Sequence, residues 1–421
     1  MHIKKSFPAT LYWILSNTSW LTLERIIYLL SVTYTSILSI KYIGPYYYGI
    51  ISIFNNALLI SLVISKFGSD AFFSREWKKA YSKYLIGNMI LLRFFAGMIL
   101  NTGIVLLSAV LGEIDVRCFY YILSISIAMM IQGTDITLIY NRANGFYRND
   151  TMISIMTMML TSLFKFIIVH YRLSFALLSI PIIFEALIPA LYRQCSANAI
   201  KARFVIKKKI ALYLIKHSVS YLFPSLSMLI NQRAVFFILG IFNGQYLVGV
   251  YSVAFFISNA IFMLPNIITM TSLVKLNKIS DYTERAEKAI STIRLITLLS
   301  LLIIVVSHFC GEYMIPKFLG EGYEKLNDIV TLIIFSFYVA SVGVLSIKTL
   351  SKEECEGYYS VKYTLIIVLN IVLTVVLSLK YGIIGATCGF LFTEILSSTI
   401  ANYLISKKIF YLHLKLFFNR S

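Results

Sequence analysis

Arg25, Arg93, Lys165 and Arg233 each fall inside a run of residues apolar enough to cross a lipid bilayer. A charge in hydrocarbon costs about 3 kcal/mol on insertion scales. Such residues persist where they face a protein-lined cavity, pair with an acid, or meet a ligand of opposite sign. Arginine carries a planar fork that donates two parallel hydrogen bonds to a phosphate, and lysine supplies a point charge. Cations on four separate segments point to a membrane cavity suited to an anion. Arg25 and Arg93 sit in the inner halves of their segments, Lys165 and Arg233 in the outer halves. That spread would guide an anion across instead of holding it at one depth.

Acids set the competing reading. Glu24, Asp135, Glu185 and Glu394 also lie in or near apolar segments, and together with the cations they could form buried pairs that tie helices together. Glu24, beside Arg25, and Asp70 are assigned to such a structural network. Asp135, Glu185 and Glu394 are the candidates for coupling transport to a proton or sodium gradient, because a carboxyl in a dry cavity can exchange protons. No acid occurs between Glu185 and Asp281. Arg233 therefore has only Glu394 as an intramembrane partner in its own half, which favours ligand contact. Asn55, Asn56, Asn101, Gln132, Thr134, Asn231, Gln232, Ser258 and Asn259 fit bonds between helices, with sugar hydroxyls as the alternative. The five cysteines and five histidines are dispersed, so neither a metal site, a disulfide framework nor a bound cofactor is expected.

The elements that must position these residues are membrane helices. The chain has 421 residues, is 58% hydrophobic and 14% charged, and its mean hydropathy is +0.80, which excludes an ordinary soluble domain. Runs of about 20 apolar residues match the bilayer core. Twelve are expected, over 16–40, 47–66, 84–111, 118–140, 151–171, 173–193, 213–240, 247–274, 290–311, 327–347, 361–379 and 382–405. Lys4 and Lys5 lead into no small-residue cleavage site, so the first span is expected to be retained. Net charge is +19. With the N-terminus in the cytoplasm, only Lys41, Arg117, Arg172, Lys317, Lys325 and Lys380 fall on the outer side. The four buried cations aside, every other Lys and Arg lies on the cytoplasmic side. This is the positive-inside pattern. It places both termini in the cytoplasm and accounts for the basic runs without nucleic acid.

The longest polar break inside the bundle, about 194–212, divides the spans six and six. The expectation is an all-α membrane protein of two six-helix lobes, 1–200 and 201–421, related as parallel repeats. A weak repeat agrees: in GPYYYGIIS (44–52) and GQYLVGVYS (244–252), Gly44, Tyr46, Gly49 and Ser52 match Gly244, Tyr246, Gly249 and Ser252 at a constant offset. Both copies fall at the outer turn between the first and second spans of their half. The loop 275–289 reads as a helix on the cytoplasmic face, the tail 406–421 as interfacial. Pro181, Pro189, Pro224 and Pro265 interrupt spans six to eight and kink them.

The opening of the chain resembles that of the Wzx-type O-antigen flippases, polysaccharide transporters of the multidrug/oligosaccharidyl-lipid/polysaccharide exporter superfamily. The residues that carry the resemblance are Asn17-Thr-Ser-Trp20-Leu-Thr-Leu-Glu24-Arg25, Lys41-Tyr-Ile-Gly44-Pro45-Tyr-Tyr-Tyr-Gly49, Phe67-Gly68-Ser69-Asp70, Arg75-Glu76 and the segment GQYLVGVYSVAFF. Lys41, Tyr48 and Phe67 stand where relatives often have Arg, Phe and Leu. The resemblance implies two six-helix lobes around a central cleft. It also implies translocation of an undecaprenyl-pyrophosphate-linked oligosaccharide across the bacterial inner membrane, in association with polysaccharide polymerase and chain-length machinery. No catalysis is expected: the outer loop at about 312–326 is too short for a glycan polymerase or ligase site. An ion-coupled multidrug exporter of the same superfamily is the alternative, and it would want an acidic cavity.

Overall fold

The computed structural model describes residues 33–76, 82–110, 114–144, 147–195, 207–276, 281–320, 326–350 and 356–405, with a few isolated positions beside them. Arg25 and Glu24 lie outside the described residues, as does most of the first expected span. Within them the chain is helical throughout, with no strand. Lipid offers no hydrogen-bond partner to the backbone, so a spanning segment must satisfy its own N–H and C=O groups, and a helix does this locally. Ile99, Leu106, Leu107 and Val110 are exposed on one helix and Leu298, Leu302 and Val305 on another. These apolar faces suit a surrounding of lipid.

In chain order the helices are α1 (Thr33–Ile43), α2 (Pro45–Lys66), α3 (Ser69–Glu76), α4 (Ser82–Val110), α5 (Val116–Thr134), α6 (Thr137–Asn144), α7 (Tyr147–His170), α8 (Ser179–Cys195), α9 (Lys208–Phe242), α10 (Gln245–Ile261), α11 (Met263–Leu276), α12 (Tyr282–Leu319), α13 (Leu326–Leu350), α14 (Glu356–Ser398) and α15 (Ile400–Ile405). Nine helical segments among the described residues are long and apolar enough to cross a membrane, or ten when the pair Gln245–Ile261 and Met263–Leu273, bent by 53°, counts as one. The segment Val361–Leu404 counts once in that tally but folds as a hairpin. Gly382 leaves helical geometry at φ 60°, ψ −137°. Beyond it Gly385 lies against Leu377 and Gly389 against the backbone of Thr374, and Lys362 reaches Asn402. The spans expected at 361–379 and 382–405 are the two arms of this hairpin.

The chain forms two compact units: Met1–Ile43 with Phe54–Leu226, and Gly44–Ile53 with Ser227–Ser421. The change of unit near residue 226 falls inside α9, two residues after Pro224. A core of Phe72, Phe73, Leu85, Ile86, Met89, Ile136 and Leu214 organises the first unit. In the second, Leu273, Leu276, Ala289, Ile293, Ile296 and Leu345 join α11, α12 and α13.

The repeated motif has a structural meaning inside the second unit. Gly44 and Gly244 both precede a helix in left-handed geometry, at φ 82° and 89°. One turn later α2 and α10 cross with almost no space between them. A Cβ on Gly49 would sit 1.9 Å from the Gln245 carbonyl oxygen, and a Cβ on Gly249 would sit 1.9 Å from that of Pro45. The contact is reciprocal, so each copy of the motif supplies the glycine that admits the first residue of the other copy's helix.

Candidate functional site

Arg93 on α4 is 1% exposed. Its Nε donates to Ser69 Oγ at 3.0 Å, its Nη1 to the Gly133 carbonyl at 3.3 Å, and its Nη2 to Ser69 Oγ at 2.6 Å and Asp70 Oδ1 at 2.5 Å. Local backbone makes this clamp possible. Phe67 and Gly68 take φ 38° and 73°, which ends α2 and turns the chain so that Ser69 and Asp70 begin α3 facing Arg93. Lys66 holds the other carboxylate oxygen of Asp70 at 3.3 Å. The Phe67-Gly68-Ser69-Asp70 motif is thus a receptor for Arg93. The expectation that Arg93 lines an anion cavity does not match this placement, because its donors are taken up by the protein itself.

Two further pairs neutralise charge in the first unit. Lys165 on α7 bonds Glu185 on α8 at 2.7 Å, and Thr161 donates to the same oxygen at 3.0 Å. Asp135, which follows α5, accepts from Arg193 Nε at 3.0 Å and Nη2 at 2.6 Å, with both side chains buried. Lys165 is therefore engaged by an acid, and Asp135 and Glu185, expected as coupling candidates, each face a cation. Arg193 was not among the residues singled out from sequence. It ends an apolar run beside a basic loop and reads there as one more cytoplasmic charge.

Arg233 differs. It sits on α9 in the second unit, with its guanidinium carbon 4.8 Å from the Phe255 ring centroid and 5.8 Å from that of Phe236. Cation–π contacts of this kind stabilise a desolvated guanidinium by about 2 kcal/mol. They leave its N–H groups uncommitted, and buried Nε has no hydrogen-bond partner. Neighbouring Tyr251, fully buried on α10, also leaves its hydroxyl without one. Arg233 forms no ion pair among the described residues.

The same unit holds a polar cluster between α9, α13 and the arms of α14. Asn231 Nδ2 donates to Glu394 Oε1 at 2.8 Å. Asn370 donates to both the carbonyl and Oδ1 of Asn231, at 2.7 and 2.8 Å, and Thr374 donates to Asn370 at 2.8 Å. Lys362, 6% exposed, donates to Asn402 Oδ1 at 2.6 Å. Around Glu394 and Lys362 lies a cavity of about 40 Å³, also lined by Asn231, Gln232, Ser397 and Ser398. Of these residues sequence reading singled out Glu394, Asn231 and Gln232. Lys362 escaped it, because as the second residue of an apolar run it looks like a boundary charge.

Neither a protein-family model nor a curated protein matches the sequence. Solved structures do. A mutant of the Vibrio cholerae MATE transporter VcmN matches at TM-score 0.59 and 16% identity, over 95% of this chain and 100% of that one. Lipid II flippase MurJ, in an inward closed conformation, matches at TM-score 0.66 and 12% identity, over 96% and 91%. An outward-facing multidrug resistance MATE family transporter of the MOP superfamily matches at 0.56 and 11%, over 94% and 97%. The fold is that of the MATE transporters and MurJ. At these identities the likeness fixes the fold and leaves substrate to be argued from the residues.

Proposed function

We infer that this protein is a flippase of the bacterial inner membrane that moves an undecaprenyl-pyrophosphate-linked O-antigen, or a related polysaccharide repeat unit, from the cytoplasmic to the periplasmic face by alternating access. The halves 1–200 and 201–421 would be the alternating parts, with both termini cytoplasmic and polymerase and chain-length proteins as partners. The observation that carries the reading is Arg233, a membrane-embedded guanidinium with a buried donor unmet and no acidic partner among the described residues. A diphosphate offers such a donor a charged acceptor. Arg25, the other unassigned cation of the apolar segments, would add a second contact. Fold likeness to MurJ, a lipid II flippase, supports passage of a lipid-linked head through this architecture.

A multidrug exporter is the second reading, favoured by the likeness to MATE transporters. A cationic drug needs an acid without a cationic partner. Asp70, Asp135 and Glu185 are each held by Arg or Lys, and Glu394 shares its pocket with Lys362. The charge balance thus supports the anionic substrate.

The test uses the full chain in proteoliposomes, with a fluorescent polyprenyl-pyrophosphate oligosaccharide and a cationic dye assayed in parallel. The lipid-linked sugar should cross and the dye should not. Arg233→Ala should slow the sugar by about 10–100-fold, the worth of a charge-assisted hydrogen bond, and Arg233→Lys should retain part of the rate. Dye transport without movement of the lipid-linked sugar would overturn the reading.

A further inference from the structure

The pocket of the second unit contains two opposite charges that the anion reading leaves unused. Glu394 is 9% exposed, and its hydrogen-bond partner is a neutral amide, Asn231. The amide's orientation is fixed: Asn231 Oδ1 accepts from Asn370, so Nδ2 is the group turned to the carboxylate. On the other side Lys362 also bonds a neutral amide, Asn402, which in turn donates to the carbonyls of Gly343 and Ser398. No ion pair joins Lys362 to Glu394. The other charged or titratable group on the lining is Tyr363; α9 and α13 contribute Met228, Asn231, Gln232, Ala340, Gly343, Val344 and Ile347. Arg233 follows on α9 but places its guanidinium against Phe255 and Phe236. A cavity of about 40 Å³ has room for about three or four waters, since one needs about 10–15 Å³. A phosphate with sugars attached does not fit.

A carboxylate whose hydrogen-bond partner is a neutral amide, with Gln232, Ser397 and Ser398 also on the lining, keeps an unpaired charge that would attract a monovalent cation. Here an ammonium on a four-carbon tether already stands in the pocket. Two positive charges in a low-dielectric cavity repel strongly, so Lys362 disfavours a second metal cation, whereas a proton bonds covalently to one Glu394 oxygen and needs no coordination sphere. We propose that this pocket is a proton-exchange site in which Lys362 takes the place of a bound metal cation, so that the driving ion is a proton and not sodium. One proton passes between pocket water and a Glu394 carboxylate oxygen. Lys362 keeps its charge throughout and compensates Glu394 whenever it is ionised. This rests on the transporter reading only in supposing that transport is ion-driven. It is independent of the substrate.

Cation binding tests it without transport. Purified full-length protein is heated in choline buffer with sodium chloride titrated in, against choline chloride at equal ionic strength. Wild type should show no sodium-specific change in Tm. Lys362→Met should gain a saturable rise of about 1–2 °C, the size expected for ligand linkage in a chain of this length. Adding Glu394→Gln should remove it, and Lys362→Arg should behave as wild type. A saturable sodium response in wild type, or none in folded Lys362→Met, would overturn the proposal. Should Lys362→Met fail to fold, the infrared carbonyl band of a protonated carboxyl decides. It should appear and vanish with pH in wild type, without change on adding sodium, and be absent from Glu394→Gln; a band that sodium abolishes would refute the assignment. None of these outcomes bears on which substrate is carried, so their failure would leave the anionic-head reading standing.

Discussion

The crossing of α2 and α10 yields the sharpest test of how the repeated motif works. Replacing Gly249 by Ala places a methyl carbon 1.9 Å from the Pro45 carbonyl oxygen, and replacing Gly49 places one 1.9 Å from that of Gln245. An ordinary carbon–oxygen contact is about 3.4 Å, so the helices must part by about 1.5 Å. The obstructing atoms are backbone, which no rotamer change can move aside. Overpacking of this kind costs about 1–3 kcal/mol, less the few tenths to one that alanine regains over glycine inside a helix. Each single variant should lower the Tm of the detergent-solubilised protein by several degrees, at about 2–4 °C per kcal/mol for a unit of roughly 200 residues. The double variant is the decisive one. A single parting of the helices relieves both clashes, because the two contacts are reciprocal. The combined cost should therefore fall short of the sum by about 1 kcal/mol, as expected for coupled neighbours. Gly103→Ala is the control: nothing lies within 4 Å of its Cβ position, and it should be neutral or slightly stabilising. Neutral singles at positions 49 and 249, or costs that add, would refute the reciprocal crossing.

Other outcomes follow from the ion pairs. Arg93→Ala leaves Ser69 and the Gly133 carbonyl without their donor, while Asp70, 40% exposed, keeps Lys66. The loss should be about 1–3 kcal/mol, the range for unsatisfied buried groups, seen as a lower yield of folded protein from the membrane. Asp70 lies outside the spans. Burial pushes its carboxyl up, but Arg93 and Lys66 outweigh that and hold it below the ordinary carboxylate value. The stability it contributes is fully present above about pH 4 and lost as pH falls through the lowered value. Melting curves taken from pH 6 to pH 3 should show that loss in wild type and a shallower one in Asp70→Asn. For Lys165 and Glu185, Lys165→Met and Glu185→Gln should each destabilise while the double variant recovers part of the loss, measured as a positive coupling in a thermal double-mutant cycle.

What the sequence disclosed and what it withheld divide along physical lines. Among the described residues, where nine or ten segments can span and the expected total of twelve is not reached, hydropathy located apolar runs because bilayer thickness sets a length that any of them must meet. Even the two arms of α14 were legible, since Lys380, Tyr381 and Gly382 break the run where the hairpin turns. Buried cations were equally legible, as charges inside apolar runs. Their partners were not. Asp70 is 23 positions from Arg93 and Arg193 is 58 from Asp135, and pairing at such distance depends on which helices are neighbours, a property that periodicity does not encode. Residues at the ends of runs were misjudged for a related reason. Arg193 and Lys362 look like interfacial charges in sequence, but both are buried because an adjacent helix covers them.

The pattern of satisfaction separates the two units. In the first, Arg93, Lys165 and Arg193 each meet an acid at hydrogen-bond distance. Bonds of that kind hold helices in fixed register, and breaking them would expose uncompensated charge in a medium where it is costly. In the second, Arg233 rests on aromatic rings, Glu394 on an asparagine and Lys362 on another. Contacts with neutral partners can be exchanged for a proton, a water or a phosphate at far smaller cost. On the proposed transport function both kinds of charge have a use, one set preserving helices as rigid bodies and another changing partners as the cargo passes. The chain places the exchangeable set on α9 and α14. Those helices are therefore where substitutions should alter transport at normal stability, and the paired positions of α4, α7 and α8 are where they should alter stability first.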